Sequence, residues 1–394
     1  MNTLGRGWRF LAGLAAALMA ASALPAADRV LDNDLVSAAW PLQDGALAAG
    51  TVRDEGSGAG VPVGPGQAWL EFGAAKMVPL NALRAAEVTV EPLSADSGQA
   101  HLAGHYPGRA VLARFADPDG HYEVVWRAEL RAGSRYLLIA LEIRNTGASD
   151  LPLTGAGLID LPLAGASTLG EVNGSPVIAG GTFLAVEHPL ARNLVVDGRV
   201  RCRLPRLNPL GPGETAVVRA VVGFTDPGQL RRGFLAYLER ERAHPYRPFL
   251  YYNTWYDIGY FNRFDQDRLA GVIEAYGREL VRSRGVKLDS FVLDDGWDDP
   301  RSLWKFHAGF PQGLRPAGAL AAKFGAGIGI WLSPWGGYGW PKQERLKAGV
   351  AAGLETREGS FSLAGPRYYR LFFDRCAHLL RRDGVSYFKF DGIG

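Results

Sequence analysis

The residues of this sequence best suited to chemistry are carboxylates at the ends of short apolar runs. Asp391 closes the run Tyr387-Phe-Lys-Phe-Asp391, and Lys389 precedes it by two positions. Residues two apart on a strand share a face, so the ammonium stands beside the carboxylate and favours its ionised form. Asp294 and Asp295 follow the run Phe291-Val-Leu293, where burying two acids is costly unless they bind something. Breaking a sugar–sugar bond by the retaining route takes two carboxyl groups, one that attacks the anomeric carbon and one that gives and then takes a proton. Asp391 has the address of the attacker, and Asp294 and Asp295 could accept hydrogen bonds from neighbouring sugar hydroxyls. Each has a plain alternative. Lys389 and Asp391 also fit a structural ion pair at a strand end. The Asp pair also fits an exposed turn feeding Gly296, which would account for Asp298 and Asp299 as well. Trp255, Trp297, Trp331 and Trp335 fall at or just beyond strand ends. Rings there suit the apolar faces of a pyranose, with core or rim packing as the alternative. Tyr256 and Trp304 could act in the same way.

Other chemistries fit less well. Gly325-Ala-Gly-Ile-Gly329 looks like a piece of a nucleotide-binding loop, but it opens a strand where that motif follows one. A G-x-S-x-G nucleophile elbow is absent from the sequence. His101 and His105 are four apart, yet Leu-Ala-Gly between them and a nearby proline argue against a helix offering both to a metal. Cys202 and Cys376 belong to no metal-ligand spacing and no redox pair. Cys376 shares a helix face with Phe372 and Leu380 and reads as a small core residue; whether the two cysteines pair is open. The hydrophobic share of 47% and charged share of 21% are those of a globular protein with a full core. The net charge is +3. Arg6 and Arg9 lie in a segment expected to be removed, so the mature chain is close to neutral and charge makes no case for nucleic acid.

The elements that must position these residues can be read in order. Residues 1–27 have the pattern of a secretory signal: Arg6 and Arg9, then the apolar stretch Leu11–Ala20, then Ala21-Ser-Ala23 or Pro25-Ala-Ala27 as a cleavage site. The apolar stretch is too short to span a bilayer comfortably; an uncleaved anchor is the alternative. No later segment is long and apolar enough to span. The expected location is therefore periplasmic or secreted, and without a cysteine near the cleavage site a lipoprotein is disfavoured.

From 28 to 226 the pattern is β, with no helix. Residues 121–130 and 136–145 flank the turn-like Arg131-Ala-Gly-Ser134 and predict a hairpin. Further strands are expected at 110–115, 156–162, 194–200 and 215–224, and an exposed Gly/Ala-rich loop at 45–67. Many short strands so punctuated indicate an antiparallel β-sandwich. Residues 227–246 switch to a helical period through Leu230, Phe234 and Leu238 and form a linker helix. From 247 to 394 strands and helices alternate. Strands are expected at 249–256, 288–295, 327–334 and 386–391, and helices from Asp265 or Asp267 to Gly285, at 317–324, and from Pro366 to Gly384. Right-handed crossovers make such strands parallel.

Taken together these segments resemble the α-galactosidase-type glycoside hydrolases of families 27 and 36, the melibiase group. Family 36 is the better match because it sets a large β-sandwich before a catalytic barrel. Asn253-Thr-Trp-Tyr256 is similar to the first barrel strand of that group, Leu293-Asp-Asp-Gly-Trp297 to the second, Gly329-Ile-Trp-Leu-Ser-Pro334 to the third and Tyr387–Asp391 to the fourth. The resemblance implies an N-terminal antiparallel β-sandwich followed by an α/β (β/α)8 TIM barrel, of which about the first four β/α units are present. It implies that Asp391 is the nucleophile, that Lys389 contacts hydroxyls beside it, that Asp294 and Asp295 hold hydroxyls of the terminal sugar, and that Trp255, Tyr256 and Trp331 line the pocket. No metal and no organic cofactor is implied. The partner is an oligosaccharide or glycoconjugate, α-galactosides first, with α-N-acetylgalactosaminides and transglycosylation open. In the group the general acid/base is an Asp on the sixth strand, whereas this sequence stops after the fourth. Little or no glycosidase activity is therefore expected of it as given, a fragment of a longer enzyme is the simplest account, and a non-catalytic sugar-binding protein using the same pocket is the alternative. The last strand would also present an unpaired edge.

Overall fold

The computed structural model describes residues 29–43, 46–73, 76–260 and 262–392, so the expected leader at 1–27 lies outside the described residues. The chain divides into two compact units, 1–246 and 247–394.

The first unit is built of antiparallel sheets. The largest has eight strands, in the spatial order 167–168, 177–179, 182–186, 215–224, 136–145, 122–131, 108–116 and 84–93. A five-stranded sheet runs 192–196, 199–205, 153–162, 69–72 and 76–79. A four-stranded sheet comprises 29–32, 36–40, 50–54 and 60–63. Strict alternation explains the packing. Along Tyr122–Arg131 every second residue is buried, as a strand with one wet face requires. The inward residues, among them Val111, Trp126, Leu141, Leu158 and Cys202, form one core, in which Trp40 meets Trp126 edge-on at 5.5 Å. The hairpin 122–131/136–145 forms in antiparallel register, Trp126 opposite Leu141.

Two expectations fail here. Residues 194–200 are not one strand but the middle of a hairpin: Asp197 and Gly198 take positive φ (50° and 73°) and reverse the chain between Arg192–Val196 and Arg199–Pro205. The Gly/Ala-rich stretch at 45–67 is not a simple exposed loop. It carries the strands Gly50–Asp54 and Gly60–Val63, whose Val52, Val61 and Val63 are buried. A helix α1 (Leu230–Glu241) covers the eight-stranded sheet through Tyr237 and Phe234, which pack on Phe183, Leu138 and Val221. Leu238, expected on the packed face, is 40% exposed. Cys202 and Cys376 are both free thiols.

The second unit holds a four-stranded parallel sheet in chain order: Tyr251–Asn253, Ser290–Leu293, Gly327–Leu332 and Val385–Phe390. Helices α2 (Gln266–Tyr276), α3 (Arg315–Ala322), α4 (Gly339–Ala351) and α5 (Pro366–Asp383) lie in the connections. Asp265 caps α2 by accepting from the Arg268 N–H at 2.9 Å. Gly384, at φ 72°, ends α5 in the left-handed cap that glycine favours. One side of the sheet presents Phe291, Leu293, Ile328, Ile330 and Leu332, which pack with Leu269 and Ile273 of α2, Ala317 and Ala321 of α3 and Phe372 of α5. Each fully buried aliphatic or aromatic side chain there stabilises by about 1.5–3 kcal/mol. The first strand is shorter than expected: Thr254–Tyr256 form a 3-10 turn, with Asn253 as its cap. α4 lies between the third strand and the helix expected from Pro366, where the sequence reading named no helix. No helix among the described residues is long and apolar enough to cross a membrane.

Candidate active site

The other side of the parallel sheet gathers the polar groups. Strand alternation places Asn253, Asp294, Trp331, Lys389 and Asp391 on this side, at or just past the C-terminal strand ends; Trp331 and Lys389 are partners in register. Asn253 works in two directions. Its Oδ1 accepts from the Trp255 N–H at 2.8 Å, and its Nδ2 donates to Asp294 Oδ2 at 2.9 Å. The hydroxyl oxygen of Thr254 accepts from the Asp294 N–H at 2.8 Å. Gly296 (φ 119°) then turns the chain where a Cβ would stand 2.5 Å from the Asn262 carbonyl, so no other residue fits.

Asp294 and Asp295 are only 3% and 2% exposed, so the exposed-turn alternative does not hold. Their roles differ. Asp294 Oδ2 accepts from the Lys389 ammonium at 2.7 Å. Burial opposes the charge on Lys389, but Asp294 and then Asp391 outweigh it and raise its pKa above the ordinary value. Asp295 is held by Arg345 of α4, whose Nη2 donates to Oδ1 at 2.6 Å and Nη1 to Oδ2 at 3.4 Å. The same guanidinium reaches Asp298 at 2.7 and 3.0 Å, lies 4.3 Å from the Trp304 ring centroid and is fully buried. Burial pushes the Asp295 carboxyl above the usual carboxylate range. Arg345 pulls it back, and Asp298 and Asp294 push it up again. Both oxygens of Asp295 accept from Arg345, so its charge is balanced inside the protein.

Asp391 follows directly on the fourth strand. Its Oδ2 accepts from the Trp331 indole N–H at 3.0 Å, and its Oδ1 from the Tyr338 hydroxyl at 3.2 Å and the Gly392 N–H at 2.7 Å. Burial alone would raise its pKa, but these donors and the Lys389 ammonium together hold it below the ordinary carboxylate value. The group is an ionised, partly accessible carboxylate, suited to act as a nucleophile.

The aromatic residues separate. Trp297 and Trp331 are sealed in the core, at 0% and 1% exposure. Trp331 therefore offers its N–H to Asp391 and no ring face to a ligand. Trp297 donates to the Trp331 carbonyl at 2.9 Å, and Trp304 is equally buried. Trp255 and Trp335 are half-buried; the Trp255 ring lies 5.0 Å from that of Tyr260. Tyr256 is 87% exposed and makes none of the hydrogen bonds described for this cluster. Four participants escaped the sequence reading as site residues: Asn253, Asp298, Tyr338 and Arg345. Asn253 stood in the first strand motif without a role, and the glycines around Tyr338, three in four residues, marked a special turn. Apart from this site, Asp117, Asp119 and His121 of the first unit bring ligand atoms within 4.8 Å of one another in a turn, but His121 Nδ1 and Asp117 already pair at 3.1 Å.

No family model matches the sequence, and neither does any curated protein. Solved structures do match. The chain aligns with the α-galactosidase of Lactobacillus brevis at a TM-score of 0.57 and 13% identity, over 92% of this chain and 63% of that one. The family 36 α-galactosidase AgaB of Geobacillus stearothermophilus gives 0.56 at 15% identity, over 92% and 64%. AgaA of the same organism, solved in complex with stachyose, gives 0.55 at 13% identity, over 92% and 65%. The chain thus spans just under two thirds of the length of these enzymes. In fold, its structural neighbours are α-galactosidases of glycoside hydrolase family 36.

Proposed function

We propose that the chain carries the nucleophile side of a retaining α-glycosidase site for terminal α-galactosides, set on the first four β/α units of a (β/α)8 barrel behind a β-sandwich. The observation that carries this reading is Asp391: a carboxylate at the C-terminal end of the fourth parallel strand, kept ionised by three hydrogen-bond donors and an ammonium. In a parallel β/α barrel that end is the catalytic face. Asp294 accepts sugar hydroxyls alongside Lys389, and the half-buried Trp255 supplies a ring face. Attack by Asp391 on the anomeric carbon gives a glycosyl ester, which water then hydrolyses.

A proton donor for the leaving oxygen is not found among the described residues of this cluster. Asp294 is engaged by Lys389 and Asn253, and Asp295 and Asp298 by Arg345. This favours a second reading, in which the given chain binds a galactoside without turning it over. The two separate cleanly. 5-Fluoro-α-D-galactosyl fluoride has a leaving group that needs no proton. Incubation with it should add one sugar to Asp391, seen by peptide mass spectrometry, and Asp391→Asn should abolish the label. Calorimetric binding of galactose with no label in the unsubstituted protein would support the binding reading and overturn the nucleophile.

A further inference from the structure

The connection from the third strand into α4, Ser333-Pro-Trp-Gly-Gly-Tyr-Gly339, folds back over the site. Gly336, Gly337 and Gly339 have φ of 103°, 90° and 56°, a region side-chain-bearing residues rarely adopt. A Cβ on Gly337 would stand 2.6 Å from Arg345 Nη1 and 3.0 Å from the Trp331 ring, so the backbone lies flush on both. Arg345 Nη1 also donates to the Gly336 carbonyl at 3.1 Å. The loop is thereby fixed, and Tyr338, extended at φ −131° ahead of α4, reaches Asp391.

The two oxygens of Asp391 are treated differently. Oδ1 takes two donors, the Tyr338 hydroxyl at 3.2 Å and the Gly392 N–H at 2.7 Å. Oδ2 takes only the Trp331 N–H, at 3.0 Å, among the described residues. A carboxylate oxygen has two lone pairs, so Oδ2 keeps one for bonding.

Resting on the nucleophile reading of Asp391, we propose that Tyr338 fixes Oδ1 as the spectator oxygen, directs Oδ2 to the anomeric carbon, and stabilises the carboxylate when it departs from the glycosyl ester. In the first step an Oδ2 lone pair forms the bond to the anomeric carbon, and the leaving group departs with its bonding electrons. Oδ1 becomes the ester carbonyl and still accepts from Tyr338 and Gly392. In the second step a water oxygen bonds to the anomeric carbon, the anomeric carbon–Oδ2 bond breaks, and its electrons return to the carboxylate. The water proton passes to solvent. Tyr338 stays protonated throughout, because burial and the adjacent Asp391 raise its pKa.

The groups facing Asp391 are Lys389 from its own strand, Asp294 behind that lysine, Tyr338 from the loop and the neutral Trp331. Tyr338→Phe removes one donor and keeps the ring. The Asp391 pKa then rises toward the ordinary value, so its ionised form is lost at a higher pH. With 5-fluoro-α-D-galactosyl fluoride, the acid limb of labelling should move up in pH, and release of the label should slow about tenfold, as expected for a hydrogen bond to a charged group. An unmoved limb and an unchanged release rate would overturn the proposal. A carbon-13 NMR titration of aspartate carboxyls, with Asp391→Asn to assign the signal, tests the contact without turnover. The Asp391 midpoint should rise in Tyr338→Phe, and an unaltered midpoint overturns the contact. If the unsubstituted protein takes no label, the nucleophile assignment falls, and the NMR midpoint alone decides whether Tyr338 holds Asp391.

Discussion

Arg345 shows how much of a site can rest on one side chain that touches no ligand. Its guanidinium binds two buried carboxylates, a loop carbonyl and the faces of two indoles. Removing one partner from a buried ion network leaves charges that water cannot reach, which costs about 3–5 kcal/mol. Arg345→Met should therefore lower the urea midpoint strongly. Arg345→Lys should fall between, since an ammonium cannot reproduce the forked contacts. If Arg345→Met is as stable as the parent, the network does not support the fold. The sequence pointed to Asp391 and Asp294 because each follows an apolar run, and to Lys389 because it shares a strand face with Asp391, all local signals. Arg345 gave none. It lies in a helix with Lys342, Glu344 and Lys347 around it, and only the folded chain shows that this one charge points inward.

At the scale of the element, each misreading has a local cause. The helix α4 was hidden because its first turn holds Gly339 and Pro341, and its buried positions are Pro341, Arg345 and Gly349; a search for apolar periodicity finds nothing there. The hairpin at 192–205 was hidden because two apolar runs flank a turn of only two residues. By contrast α2 and α5 were legible from capping and termination: Asp265 before one, Gly384 after the other. Two glycines separate the physical reasons for conservation of shape. A Cβ on Gly384 meets nothing within 4 Å, so Gly384→Ala should cost only the left-handed backbone strain, about 1 kcal/mol. Gly337→Ala adds a collision with Arg345 and Trp331 and should cost distinctly more in the same denaturation assay. Equal costs would mean that the loop yields and that its close approach is not needed.

For the whole molecule, the chain is two units with separate cores, the β-rich 1–246 and the parallel-sheet 247–394. The β character of the first and the strand–helix alternation of the second could be read directly, because alternation of period two and helical spacing are properties of the local sequence. The likeness to family 36 α-galactosidases survives at 13–15% identity over 92% of the chain, where neither a family model nor a curated sequence detects it. What persists at that distance is the fold.

The contacts of Arg345 also bear on how the second unit opens. α4 cannot lift away without stranding Asp295 and Asp298, and the glycine turn that carries Tyr338 is held by the same guanidinium. Undocking of the helix, loosening of residues 294–298 and release of the Asp391 carboxylate should then be a single cooperative event. Native-state hydrogen exchange should show the amides of 294–298 and 340–351 opening together with one shared free energy. Independent opening of α4 would mean that the three move as separate parts.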